Sequence, residues 1–424
     1  MDSRVKKMTV GICVSAILFL TTLVCVINYL NGNWDPSQGK KESVQKNPSN
    51  NVAEVDATHS EEDLHAFLED DKFFDEEMVE AQIVDAQNYV RVTMSLNSVY
   101  RDIRIQIIDS NSERVEGVPF TVSVTSLGSY TDTDQDGIIW IQDCEPGDYK
   151  IQMQEVDGYR VPLAAINLYV TDAVSFSYIR DIDIMMKSAD EINEQAEDAY
   201  EHFADSDSTE RLDYLATDEK DVKFGIDLSS HNGNIDWSQV QTAGVDFVYL
   251  RCGYRGLTTG ALVEDSKFRE NVEEAIALGL NIGVYFRSQA ITELEAIEEA
   301  SMVVKLCREY AISYPIFIES ASAFGSDDKQ GRADALSVSD RTSAVNAFCE
   351  TIESAGYRSG VMATTSWLDK ELKMDILKKY YVYLAEYKET PSYKGSYTFW
   401  RYSENGWING VTGRVGVICG YYNY

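Results

Sequence analysis

The segment Tyr314–Ser320, "YPIFIES", is an unbroken apolar run closed by one carboxylate, Glu319, with the small residues Ser320, Ala321, Ser322 and Ala323 after it. A short apolar run of this kind reads as a strand buried on both faces. Similar runs recur on either side of it: "KFGIDLS", "VDFVYLRCG", "NIGVYFRS", "SGVMAT", "YYVYLAEY", "YTFWRYS" and "VGVICGY". Between several of them lie helical patterns, "DSKFRENVEEAIALG", "ELEAIEEASMVVKLCREYA" and "SVSDRTSAVNAFCETIESAG". Glycines in "TAGV", "ALGLN" and "SAGY" stand where a helix C-terminus needs left-handed backbone. Strand and helix in alternation over about the last 200 residues predict a parallel sheet covered by helices, most simply a (β/α)8 barrel of the TIM type.

In such a barrel the active face is where the strands end. Three acids stand at predicted strand ends: Asp227 in "GIDLSS", Glu319 in "FIES" and Glu386 in "LAEY". Aromatic residues gather at the same ends, namely Tyr254, Tyr285, Phe286, Trp367, Tyr387, Trp400 and Tyr402. Carboxylates beside flat aromatic faces suit sugars, which stack their C–H faces and hydrogen-bond their hydroxyls. Core packing is the competing reading for each aromatic. Asp227 has a structural alternative too, in the backbone amides of the following "SSHNG" loop.

The ordered segments "FGIDLSSHNGNIDWSQVQTAGVDFVYLRCGYRG", "NIGVYFRSQAITELEA", "YPIFIES", "GRADALSVSDRTSAVNAFCETIESAGY" and "VYLAEY" resemble glycoside hydrolase family 25, the Chalaropsis-type muramidases. The resemblance covers residues 222–424 and implies an irregular, eight-stranded (β/α)8 barrel of the TIM type, acting without metal or cofactor on the N-acetylmuramic acid–N-acetylglucosamine bond of peptidoglycan. It also implies an Asp-x-Glu at the end of the fourth strand, the Glu serving as general acid. Here those positions are Glu319, Ser320 and Ala321, so a methyl group stands where the acid is expected. A late cleft aspartate is likewise replaced, by Gly416, and Arg401 stands between Trp400 and Tyr402 where the family has Gln. Asp227 and Glu319 remain as candidate catalytic carboxylates. Tyr254, Tyr285, Phe286, Trp367, Glu386, Tyr387, Trp400 and Arg401 are the candidate sugar contacts. The leading expectation is a pseudoenzyme that binds peptidoglycan glycan strands. An active muramidase using Glu319 and a purely structural surface protein are the alternatives.

The rest of the chain predicts an extracellular, membrane-anchored setting. Arg4, Lys6 and Lys7 precede an uncharged run over residues 8–30, long enough to span a bilayer with the stub 1–7 in the cytoplasm. Residues 31–96 form an acidic stalk, and 188–221 an acidic linker. Residues 97–187 alternate apolar and polar positions between turns, the pattern of a small β-sandwich. This stretch resembles the prealbumin-like domains of bacterial surface adhesins. The internal Lys–Asn crosslink of many such domains has no donor here, because no lysine occurs between Lys72 and Lys150. Within it "DTDQDG", residues 132–137, matches the start of a calcium loop but leads into a strand, and we read it as a hairpin turn. The formal net charge of −33 excludes a polyanionic nucleic acid as partner. Seven scattered cysteines and four histidines signal neither a zinc site nor a disulfide framework.

Overall fold

The computed structural model describes residues 89–198, 222–323 and 330–421. The expected stub, anchor and residues 31–88 of the stalk lie outside them. Among the described residues no helix is long and apolar enough to cross a membrane.

The first part is built from eight strands: β1 (Val90–Asn97), β2 (Ile103–Asp109), β3 (Thr121–Val124), β4 (Gly128–Thr131), β5 (Ile138–Ile141), β6 (Gly147–Met153), β7 (Tyr159–Arg160) and β8 (Ile166–Val170). They form two four-stranded sheets, β5-β2-β1-β7 and β4-β3-β6-β8. Alternate residues of both sheets, among them Val92, Ile105, Ile107, Val122, Val124 and Ile151, close one hydrophobic cluster. The first strand starts before the boundary expected at residue 97. The "DTDQDG" segment is not a hairpin, since β4 and β5 belong to different sheets and the loop crosses between them. Nor does "VSFSYIRDIDI" form a strand. It ends in a 3-10 turn at Ile182–Met185, and its Ile179 and Ile182 join the core of the second part, where burial outweighs the alternating pattern.

The second part begins with β9 (Met186–Lys187) and the one-turn helix α1 (Glu194–Glu197). There follow β10 (Lys223–Leu228), α2 (Trp237–Thr242), β11 (Phe247–Arg255), β12 (Leu262–Glu264), α3 (Phe268–Ala277), β13 (Asn281–Arg287), α4 (Glu293–Cys307) and β14 (Ile316–Glu319). Then come α5 (Val338–Ser354), β15 (Ser359–Thr364), α6 (Thr365–Lys370), α7 (Met374–Leu377), β16 (Tyr381–Ala385), β17 (Phe399–Gly406) and β18 (Val415–Gly420). The order β10-β11-β13-β14-β15-β16-β17-β18 closes on itself through β18 and β10, giving an eight-stranded barrel in a mixed α/β fold. β18 runs antiparallel to both neighbours, against the fully parallel expectation. The link from β17 to β18 contains no helix, and a parallel return needs a crossover.

The local signals act as the sequence suggests. Thr292, Ser337 and Thr364 cap α4, α5 and α6 through their side-chain oxygens. Gly244, Gly279 and Gly356 take φ of 80°, 71° and 91° after their helices. Because strand side chains alternate, one set fills the barrel and the other meets the helices. The inner set is aromatic: Phe247, Tyr249, Tyr285, Tyr314, Phe317, Tyr383 and Phe399 form one cluster. Glycines make room for it, as a Cβ at Gly283 would lie 2.1 Å from the Tyr249 ring and one at Gly225 would lie 2.2 Å from Phe247. The five cysteines in the described residues are buried thiols without disulfides.

Candidate active site

A cavity of about 510 Å³ opens where the barrel strands end. Asp227, Glu319, Ala321, Tyr285, Tyr387, Arg401 and Gly416 all line it. Glu319 and Ala321 share its wall because two residues along an extended chain return a side chain to the same face.

Asp227 is buried near the end of β10 and is paired through one carboxylate oxygen. Its Oδ2 accepts a hydrogen bond from the Tyr383 hydroxyl at 2.8 Å and one from Arg401 Nη1 at 3.1 Å. The "SSHNG" amides therefore do not serve it. Ser230 N donates instead to Asp265, at 3.0 Å. Burial works against the charge on Arg401, but Tyr387 and Asp227 outweigh it and hold the guanidinium protonated. Burial, then Asp227, raise the Tyr383 and Tyr285 phenols well above their ordinary range, so both stay neutral donors. Gly416 sits opposite Asp227 across the β10–β18 ladder. A Cβ there would lie 2.3 Å from Asp227 Oδ1, so the present Asp227 position requires that residue 416 carry no side chain.

The remaining expected contacts lie elsewhere. Phe286 and Trp400 are the chain neighbours of Tyr285 and Arg401, and so point away from the barrel interior into the helix-facing core. The Trp400 indole donates to the Glu386 carbonyl at 2.8 Å. The Glu386 side chain lies just past β16 and accepts from Ser392 N at 2.8 Å and Lys388 Nζ at 2.8 Å. Burial opposes its charge, but these donors pull the carboxyl down to about 2. Trp367 donates to Ser320 Oγ at 2.9 Å and lies against the Arg341 guanidinium. Tyr254 is buried under Arg251, whose guanidinium carbon is 5.1 Å from its ring centre. None of these five residues lines the cavity.

The cavity wall also carries groups absent from the sequence reading: Asp198, His231, Arg251, Arg287, Glu404 and Arg414. Arg251 bridges Asp265, with Nε to Oδ2 at 2.8 Å, and Asp198, with Nη1 to Oδ1 at 2.8 Å. His231 Nε2 is 2.9 Å from Asp198 Oδ2. Burial works to raise the Asp198 carboxyl, but Arg251, His231 and Arg287 together outweigh it and hold it low. Arginines in the strands "YLRCG" and "YFRS" were a visible signal, because a charge inside a buried strand needs a partner. Asp198 gave none, as it reaches the cleft from the acidic linker outside the barrel.

Four cationic side chains, Arg251, Arg287, Arg401 and Arg414, thus share this wall with the acids Asp198, Asp227, Glu319 and Glu404. The cleft is charge-balanced. The residue expected to donate a proton is a methyl group, and Asp227, the most buried of the carboxylates that barrel strands present to the cleft, is tied to an arginine.

Comparison with known proteins agrees with the sequence resemblance. The chain is 25% identical over 190 residues to an autolytic lysozyme of Clostridium acetobutylicum, an alignment covering 45% of this chain and 53% of that protein. Among solved structures, the modular autolysin LytC of Streptococcus pneumoniae, determined with a synthetic peptidoglycan ligand, is 29% identical over 47% of each chain, with a TM-score of 0.42. A family 25 glycosyl hydrolase from Bacillus anthracis is 18% identical, with a TM-score of 0.41, covering 53% of this chain and 94% of its own. The chain spans about half the length of the lysozyme and of the autolysin. Residues 226–411 match the profile of the glycosyl hydrolases family 25, and this part of the chain is a domain of that family.

Proposed function

We propose that the barrel binds the glycan strands of peptidoglycan and does not cleave them. One observation carries this reading: the Asp227 carboxylate is paired with Arg401 in the cleft where Ala321 replaces the expected acid. Glycoside hydrolysis ordinarily needs two carboxyl groups, one of them able to protonate the leaving oxygen. An alanine cannot do so, and general acid catalysis is typically worth about 10²- to 10⁴-fold in rate. The cavity keeps what a sugar receptor needs, namely the flat aromatic faces of Tyr285 and Tyr387 and charged groups that bond hydroxyls. In this reading residues 8–30 anchor the chain in the cell membrane as a single span, and residues 31–221 extend the barrel outward towards the wall.

The alternative is a slow muramidase in which Glu319, lining the same cavity, protonates the leaving group. Incubating the purified full chain with peptidoglycan separates the two. Mass spectrometry for new muramic-acid reducing ends is read beside co-sedimentation. We expect sedimentation without release. We also expect Ala321→Glu combined with Arg401→Gln to release product where Ala321→Glu alone releases less. Release by the unaltered chain, abolished by Glu319→Gln, overturns the receptor reading. Neither sedimentation nor release leaves a structural surface protein.

A further inference from the structure

The loop Asp132–Gly137 carries the chain from β4 in one sheet of the first part to β5 in the other. Its aspartates, at alternate positions 132, 134 and 136, each bring a carboxylate oxygen within 4.8 Å of the other two. Acids packed this closely repel one another. Asp132 is also buried, only 1% exposed. Its Oδ2 accepts a hydrogen bond from Gly137 N at 2.9 Å, while its Oδ1 is buried with no hydrogen-bond partner among the described residues. A carboxylate oxygen left in that state costs free energy unless something positive meets it. The nearby Arg114 directs its guanidinium to Asp183 at 2.6 Å and Glu116 at 2.9 Å.

The backbone has the shape this donor set needs. Asp136 Oδ1 accepts from Ile138 N at 2.8 Å. Gly137 has φ of 81°, and a Cβ there would lie 2.6 Å from the Val115 carbonyl. Only glycine allows the turn, and a sharp glycine turn at the sixth position is what an oxygen-lined cation loop uses.

We propose that Asp132, Asp134 and Asp136 bind one calcium ion, with backbone carbonyls and water completing its shell, and that the ion fastens the two sheets at their crossover. All-oxygen, carboxylate-rich ligation selects a hard divalent cation, and a flexible shell favours calcium over magnesium. The twelfth position is Asp143, past the far end of β5 with φ of 55°, so the bidentate acid of the full loop is absent. Half-saturation is therefore expected in the weak range, about 10⁻⁴ to 10⁻³ M, of extracellular modules.

The test is calorimetric titration of the full chain with CaCl2, beside the Asp134→Asn and Asp136→Asn variants. Asp134 is exposed, so its replacement leaves the fold intact, which unchanged thermal unfolding in EDTA verifies. The expected result is one saturable site in the unaltered chain, at least tenfold weaker in each variant, and a rise in Tm with calcium that the variants lack. Absence of a saturable site overturns the proposal. So does equal binding by the unaltered chain and both variants, which places the calcium on the acidic segments instead.

Discussion

Arg401 controls the cleft through Asp227. Its Nη1 holds that carboxylate at 3.1 Å, with both side chains largely removed from water. Removing one partner of a buried pair leaves the other charge uncompensated, so Arg401→Ala is expected to cost about 3–5 kcal/mol. Replacing both, in Arg401→Ala/Asp227→Ala, should recover much of that loss, and urea unfolding of the four chains gives the coupling. A coupling near zero would mean the pair holds nothing together. Gly416 belongs to the same unit: any side chain there meets Asp227 as now placed, so the glycine and the Arg401 pairing support one another. Restoring a cleft acid at 416 therefore requires Asp227 to leave its arginine.

Within the strands, alternation separates two roles at adjacent positions. On β13, Tyr285 faces the barrel interior and Phe286 the helices; on β17, Arg401 and Trp400 divide in the same way. Gly283, two residues before Tyr285, nests under the Tyr249 ring. Gly283→Ala is expected to destabilise by about 1–3 kcal/mol through overpacking. Gly279→Ala, at φ of 71° with open space around it, should cost about 1–2 kcal/mol through backbone alone. Combining Gly283→Ala with Tyr249→Phe tests the mechanism, because the colliding atoms include the ring carbons and the clash should persist. Thermal unfolding that recovered fully in the pair would locate the strain at the hydroxyl instead.

The two parts of the chain meet through a small set of directional contacts. Asp183 takes Arg114 from the two-sheet part and Lys305 from α4 of the barrel, at 2.6 and 3.1 Å. Nearby, Ile179 N donates to Ser301 Oγ at 2.7 Å, and Arg104 meets Asp181 at 3.4 Å. Burial works to raise the Asp183 carboxyl, and Lys305 and Arg114 outweigh it, so its folded pKa lies below its ordinary value. A depressed acid contributes stability that is full above its unfolded pKa, about 4, and is lost as pH falls through the folded value. Calorimetry of the full chain should therefore show the parts unfolding together at neutral pH and separating in acid. Asp183→Asn should separate them at neutral pH as well. Coincident unfolding under every condition would assign the coupling to the apolar contacts of Ile179 and Ile182 instead.

Much of the barrel was legible in the residues. Long apolar runs, capping Thr and Ser, and left-handed glycines are local signals, and each acts over a few residues whatever surrounds it. The placement of Asp227, Glu319 and Ala321 in one cleft followed from strand ends and the two-residue repeat. The antiparallel β18 did not, because its direction is set by the helix-free loop and by closure against β10. Neither did the crossing of "DTDQDG" between sheets, which depends on which strands each neighbour pairs with. The Arg401–Asp227 bond joins positions 174 residues apart, and Asp198 enters the cleft from a different segment altogether. Local chemistry decided most of the barrel's strands and helices, because propensity and burial pattern lie within each segment, whereas "VSFSYIRDIDI" yielded to the core it packs against. Long-range packing decided which charges share the cleft, because a buried charge is satisfied by whatever partner the closed barrel brings within reach.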